Sequence, residues 1–172
     1  MVNKNPLLTS WNTPYKIAPF DKILDCHFSE ALEIAMEYEL QEVQEISENS
    51  DPPTFENTIH ALLNSGNLLK RVLSVFYTLV SADSNTQREK LMTEFSPKLS
   101  SHSSKITSNE KLFNRIQELF EKIDSLNLLP EEQRLLEKIH QDYLRAGAAL
   151  NDQSKKRMKA VSYTHLTLPT KA

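Results

Sequence analysis

Residues 54–82, TFENTIHALLNSGNLLKRVLSVFYTLVSA, form the longest apolar-periodic run in the chain. At 100° per residue, Phe55, Ile59, Leu62 and Leu63 fall on one face, and Leu69, Leu73, Phe76 and Val80 continue it. From Leu68 onward, Leu68, Val72, Val75 and Leu79 widen the stripe past half the circumference. A helix apolar on most sides is buried between neighbours, so the second half is expected to be more enclosed than the first. At about 1.5 Å per residue the run would extend roughly 43 Å. Gly66 lies inside the stripe. A mid-helix glycine costs roughly 1 kcal/mol relative to alanine, and it implies either a small kink or the close approach of a crossing helix.

The surrounding composition supports an all-α fold. The chain has 172 residues, a length that suggests one domain, and only two glycines, Gly66 and Gly147. Sheet-rich chains need turns every few residues, so this scarcity favours few, long helices. Residues 1–26 read as an extended arm: Pro6, Pro14 and Pro19 interrupt any helix, while Trp11, Tyr15, Ile17 and Phe20 offer anchors. Residues 27–49 read as a first helix with Phe28, Ala31, Leu32, Ala35, Met36, Leu40, Val43 and Ile46 on its broad apolar face. Glu39 falls inside that stripe and is expected to be a groove-edge carboxylate reaching solvent or a lysine. The sequence Asn49-Ser50-Asp51-Pro52-Pro53 stops the helix in a tight corner, after which Thr54 can cap the next one.

A third helix is expected over 86–106, with Leu91, Phe95, Leu99 and His102 near one face and Pro97 inside it as a kink or boundary. A fourth follows Asn109 over 110–125, with the stripe Leu112, Phe113, Ile116, Leu119, Phe120 and Ile123. A fifth opens at Pro130, with Glu131 and Glu132 in its first turn, and is expected to run to about 160. Ala146-Gly147-Ala148-Ala149 would make it thin enough for close packing. The expected architecture is about five helices packed as an incomplete bundle. The expected organisation is an arm (1–26), a helical domain (27–160) and a tail (161–172). That tail, VSYTHLTLPTKA, lacks a helical stripe. It is expected to be non-native, adapter-like sequence, a real short terminus being the alternative.

Charge and cysteine usage narrow the function classes. With 20 Lys and Arg against 23 Asp and Glu, the net charge of −3 gives no basis for nucleic-acid binding. The charge is uneven: no Lys or Arg occurs between Lys22 and Lys70, while Lys155, Lys156, Arg157 and Lys159 form a basic cluster. Solvated helix faces explain both, with mutual or external charge pairing the sharper reading. Cys26 is the only cysteine, which fits a reducing compartment. No stretch approaches the roughly 18 apolar residues of a membrane span, and no signal-peptide core opens the chain. A cytoplasmic protein without a membrane partner is therefore expected.

Several phrases, in order, carry a resemblance: NPLLTSWNTPYKIAPFDKI (5–23), PPTFENTIHALLNSGNLLKRVLSVFYTLVSAD (52–83), SPKLSSHSSKI (96–106), LFNRI (112–116) and EQRLLEKIHQDYLRAGAAL (132–150). Together they resemble the N-terminal region of bacterial peptidyl-dipeptidases, in the thimet oligopeptidase and oligopeptidase A family of zinc metallopeptidases. Within the family the dipeptidyl-carboxypeptidase branch looks closest, with oligopeptidase A the near alternative. The resemblance implies a largely helical ellipsoid split by a channel. It also implies zinc held on a His-Glu-x-x-His helix in the C-terminal half, and short peptides as substrates. In that mechanism a zinc-bound water attacks the peptide carbonyl with a glutamate as general base.

That chemistry needs two histidines four apart on one helix face with a glutamate between them. The histidines are His27, His60, His102, His140 and His165, and no two stand at that spacing. Cys26 and His27 are adjacent, so their side chains diverge. There is no Gly-rich phosphate loop and no serine in a nucleophile elbow. The sequence therefore offers no catalytic, cofactor-binding or metal-ligating residue. Together with the resemblance, this implies an inactive N-terminal portion of a zinc peptidase whose catalytic C-terminal region is a missing partner. A stand-alone helical peptide- or protein-binding module is the alternative.

Overall fold

A computed structural model describes residues 5–150 and 154; the basic cluster at 155–159, His165 and the 161–172 tail lie outside the described residues. The fold is all-α, with no strand among the described residues. Helix α1 spans Cys26–Glu48; a π-helical turn, Phe55–His60, leads into the short α2, Ala61–Asn64. Then follow α3, Asn67–Ala82; α4, Thr86–Thr107; α5, Glu110–Glu121; and α6, Pro130–Arg145. Among the described residues the chain divides into two compact units, 5–42 with 64–96, and 43–63 with 97–150. One division falls between Ser96 and Pro97, and α4 continues through the proline.

The first unit is built around the second half of the quoted run. Leu69, Val72, Val75 and Phe76 are buried on α3, and Phe28, Ala31, Leu32, Ala35 and Met36 on α1. Phe28 and Phe76 meet edge to face, with ring centroids 5.1 Å apart. The arm is tied down at its base. Asn5 accepts from the Leu7 amide at 3.1 Å and donates to the His27 carbonyl at 2.8 Å and Glu30 Oε2 at 2.9 Å. Leu7 is wholly buried. Arg71 on α3 donates to the Leu7 carbonyl at 2.7 Å and lies 4.9 Å above the Trp11 ring. The described part of the arm holds two short 3-10 turns, Pro6–Leu8 and Pro14–Lys16, linked by irregular chain.

The single rod expected over 54–82 does not form. Gly66 has φ +67°, in the left-handed region, and ends α2 before α3 begins. Its amide donates to Glu42 Oε2 at 2.8 Å. The Glu39 side chain lies against its α-carbon, with Cγ 3.1 Å from where a β-carbon would stand. Glu39, half-buried, thus lies against a helix break. Glycine serves here both for its φ and for the close approach. Leu63 is exposed although the continuous wheel placed it on the core stripe. Gly66→Ala is expected to cost about 1–2 kcal/mol, the price of a left-handed alanine. Because the Glu39 carboxylate is the end of a flexible chain and can swing aside, adding Glu39→Ala should recover less than half of that loss. Urea midpoints of the two variants check both expectations.

The second unit packs α5 against α6 and the π-turn. Its core holds Val43, Ile46, Ile59, Leu112, Phe113, Ile116, Leu119, Leu136 and Tyr143. The expected caps are in place. Thr54 Oγ1 accepts from the Asn57 amide at 3.0 Å, and Asn57 Oδ1 accepts from the Thr54 amide at 2.8 Å. Asn109 Oδ1 accepts from the Leu112 amide at 3.0 Å. Pro130 opens α6, and Glu132 reaches back to the Leu129 amide at 2.9 Å. Helix α6, however, stops at Arg145 instead of running on. Gly147 has φ +84°, the Ala148 amide donates to the Tyr143 carbonyl at 3.0 Å and the Gly147 amide to the Leu144 carbonyl at 3.0 Å. This is a Schellman stop, with Ala148 tucked into the same core as Tyr143. The Ala-Gly-Ala-Ala segment ends the helix rather than thinning it.

Candidate functional site

The four histidines among the described residues stand in separate local settings. The His27 Nδ1 accepts from the Leu24 amide at 3.0 Å. His60 pairs with Glu56 at 3.1 Å, one turn earlier, on an exposed face. His102 is buried on α4. His140 is buried on α6, its ring stacked on Phe120 at 3.9 Å and on Phe113 at 5.9 Å between centroids. Its Nε2 lies 2.6 Å from Gln117 Oε1, so the neutral ring donates that proton. Among the described residues no three His, Cys, Asp or Glu side chains gather to hold a metal, and these residues do not fit a zinc site. Cys26 is exposed and has no such company.

Burial holds the His140 ring below the ordinary imidazole range, opposed in part by the charge of Glu121. The folded ring thus binds a proton less readily than the unfolded one. Stability is full above the unfolded value of about 6.5 and is lost as pH falls through it toward the lower folded value. The slope for one proton is at most about 1.4 kcal/mol per pH unit. The urea midpoint should therefore drop between pH 7.5 and 5.5, and His140→Gln should flatten that drop relative to the unaltered chain.

Two polar clusters fix local geometry without reactive groups. Asp25, just ahead of α1, accepts from Arg88 Nε at 2.6 Å and from Asn85 Nδ2 at 2.8 Å. Burial raises its carboxyl, but the hydrogen bonds from Asn85 and Arg88, with the guanidinium charge, outweigh that and leave it below the usual range. In the second unit, Arg115 is buried on α5. It donates to the carbonyls of Asn49 and Asp51 at 2.8 and 3.0 Å, to Asn57 Oδ1 at 2.9 Å and to Thr58 Oγ1 at 3.3 Å. It binds the Asn49–Pro53 corner to the π-turn through neutral oxygens. Sequence reading missed Arg115, yet its position three after Leu112 and four before Leu119, within the apolar stripe of α5, carries the signal.

The first unit also carries an open groove of about 650 Å³ lined by Trp11, Pro19, Lys22, Leu24 and His27 among others. The Thr9 hydroxyl donates to the Pro6 carbonyl at 3.2 Å, and the Thr13 hydroxyl donates to the Ile17 carbonyl. Both hydroxyls are thus spent on the arm's own backbone, and the lining also carries Ser10 and the Asp21 carboxylate beside Lys22.

No protein-family model matches the chain. Its curated relatives include the dipeptidyl carboxypeptidase of Salmonella typhimurium, 36% identical over 97% of this chain and 25% of the relative. That of Escherichia coli is 36% identical over 98% of this chain and 25% of the relative. Oligopeptidase A of Escherichia coli is 24% identical over 89% of this chain and 22% of its own length. The chain thus spans about a quarter of the length of the relatives it matches.

Proposed function

We propose that this chain, a relative of the bacterial dipeptidyl carboxypeptidases along nearly its whole length, is the N-terminal, non-catalytic portion of a cytoplasmic zinc metallopeptidase. The whole enzyme hydrolyses short peptides and releases dipeptides from their C-termini. The observation that carries this reading is the match itself: nearly all of this chain aligns with only a quarter of each relative. The dispersal of His27, His60, His102 and His140 among structural roles supports it, since none is placed to share a metal with another. In this reading the helices supply wall, and the zinc-binding chemistry belongs to polypeptide beyond this chain.

The reading is tested by incubating the purified 172-residue chain with zinc and an internally quenched peptide. Cleavage at the buffer rate, unchanged by a chelator, is expected. Zinc-dependent, chelator-sensitive cleavage would overturn the non-catalytic assignment.

A further inference from the structure

The open groove of the first unit is lined entirely by residues between Pro6 and His27, and the rings in its lining are held in place. Trp11, the only tryptophan of the chain, is one of them. Its indole N–H donates to the Pro6 carbonyl at 2.8 Å, and the Arg71 guanidinium lies 4.9 Å from the ring centre. That guanidinium is itself fixed by its bond to the Leu7 carbonyl at 2.7 Å. The Lys22 amide donates to the Pro19 carbonyl at 2.9 Å, closing a turn. Leu24 and His27 are tied twice, by the Leu24 amide on His27 Nδ1 and by the His27 amide on the Leu24 carbonyl, each at 3.0 Å. Because Nδ1 accepts, the neutral His27 ring carries its proton on Nε2, where it is a donor.

The lining combines an apolar surface with both signs of charge. Trp11, Leu24 and the two prolines supply the apolar part. Asp21 brings a carboxylate and Lys22, its neighbour in sequence, an ammonium. Both are exposed, and Arg71 behind the indole does not enter the lining. A simple anion would gain Lys22 but meet Asp21, and a simple cation the reverse. A ligand that carries both charges satisfies both residues. The volume of about 650 Å³ is that of a small-molecule site.

We propose that this groove binds a zwitterionic amino acid with an aromatic or large apolar side chain, either free or as a dipeptide with both termini ionised. The side chain lies along Trp11 and Leu24, the ligand ammonium meets Asp21, and its carboxylate meets Lys22 and the His27 Nε2 proton. The fixed indole and imidazole preorganise the site, which lowers the cost of ordering it around a small ligand. The proposal does not rest on the peptidase reading, since every group it uses lies in this groove.

Trp11 serves as its own reporter. Its emission is followed on the 172-residue chain during titration with L-phenylalanine, L-phenylalanyl-L-alanine and N-acetyl-L-phenylalanine amide, which keeps the ring but lacks both charges. One or both zwitterions should shift the emission saturably, with half-saturation at about 1 mM, and the one that does so identifies the source. The uncharged amide should bind at least about fivefold more weakly. Lys22→Ala and Asp21→Asn should each weaken the zwitterion about three- to fivefold, while Lys90→Ala on α4 leaves it unchanged. All three positions are exposed, so the variants keep the fold. Calorimetry with the same compounds gives a readout independent of the indole. No saturable response by either method would overturn the site. Equal binding of the uncharged amide, or unchanged binding to both charge variants, would overturn the zwitterion assignment. Displacement of the zwitterion by inorganic phosphate at lower concentration would assign the groove to an anion and overturn it as well.

Discussion

Phe76→Ala is expected to destabilise the chain by about 3–5 kcal/mol, the usual cost of deleting a buried phenylalanine ring. Phe76 is 2% exposed and its ring meets that of Phe28, itself wholly buried, edge to face. Truncation removes both the transfer free energy of the ring and its quadrupolar contact, and leaves a void that α1 and α3 can close only partly. The neighbouring Tyr77 is the control. Its ring lies 5.7 Å from that of Phe76, but it is 46% exposed, so Tyr77→Ala should cost less than about 1 kcal/mol. Urea unfolding of the two variants measures the difference. Similar costs for both would mean that the buried stripe of α3 is not the one described.

Arg115→Met is expected to cost about 2–4 kcal/mol. Hydrogen bonds from a charged donor contribute about 1.5–3 kcal/mol, and some of the oxygens left behind can be reached by water. Methionine keeps much of the side-chain volume, so the loss reports the four hydrogen bonds and not a cavity. Arg115→Lys decides between charge and geometry. An ammonium is a point donor and cannot span the carbonyls of Asn49 and Asp51 together with Asn57 and Thr58, so lysine should rescue little. The exposed Lys111–Glu48 pair, 2.9 Å apart, provides the contrast: Lys111→Ala should leave the urea midpoint unchanged. Full rescue by lysine would mean that Arg115 acts through its charge alone.

These residues also show what was legible in the sequence. The caps at Thr54, Asn109 and Pro130 were readable because a cap is a contract between residues three or four apart. The apolar stripes of α1 and α5 were readable because burial follows helical period. Gly66 was ambiguous because its role depends on Glu39 and Glu42, which come from another helix, and on a left-handed φ that no periodicity reports. The stop at Gly147 had a local signal, a glycine followed by an alanine able to tuck under the last turn, but the small residues also fitted a closely packed helix. The burial of Arg115 had a local signal in the α5 stripe, but its partners, like the Asp25–Arg88 pairing, lie 57 to 66 residues away in sequence, where no local pattern reaches. The candidate groove was not foreseen, because it is formed by an irregular arm whose turns follow no period. The family resemblance was legible because ordered phrases extend along most of the chain.

The most direct test of the central claim is to read the gene in frame past codon 160. The expected result is a frame that continues for several hundred residues and encodes a His-Glu-x-x-His segment with a further glutamate downstream. A genuine stop soon after that codon, with no such segment, would contradict the claim and leave a stand-alone helical binding module in its place.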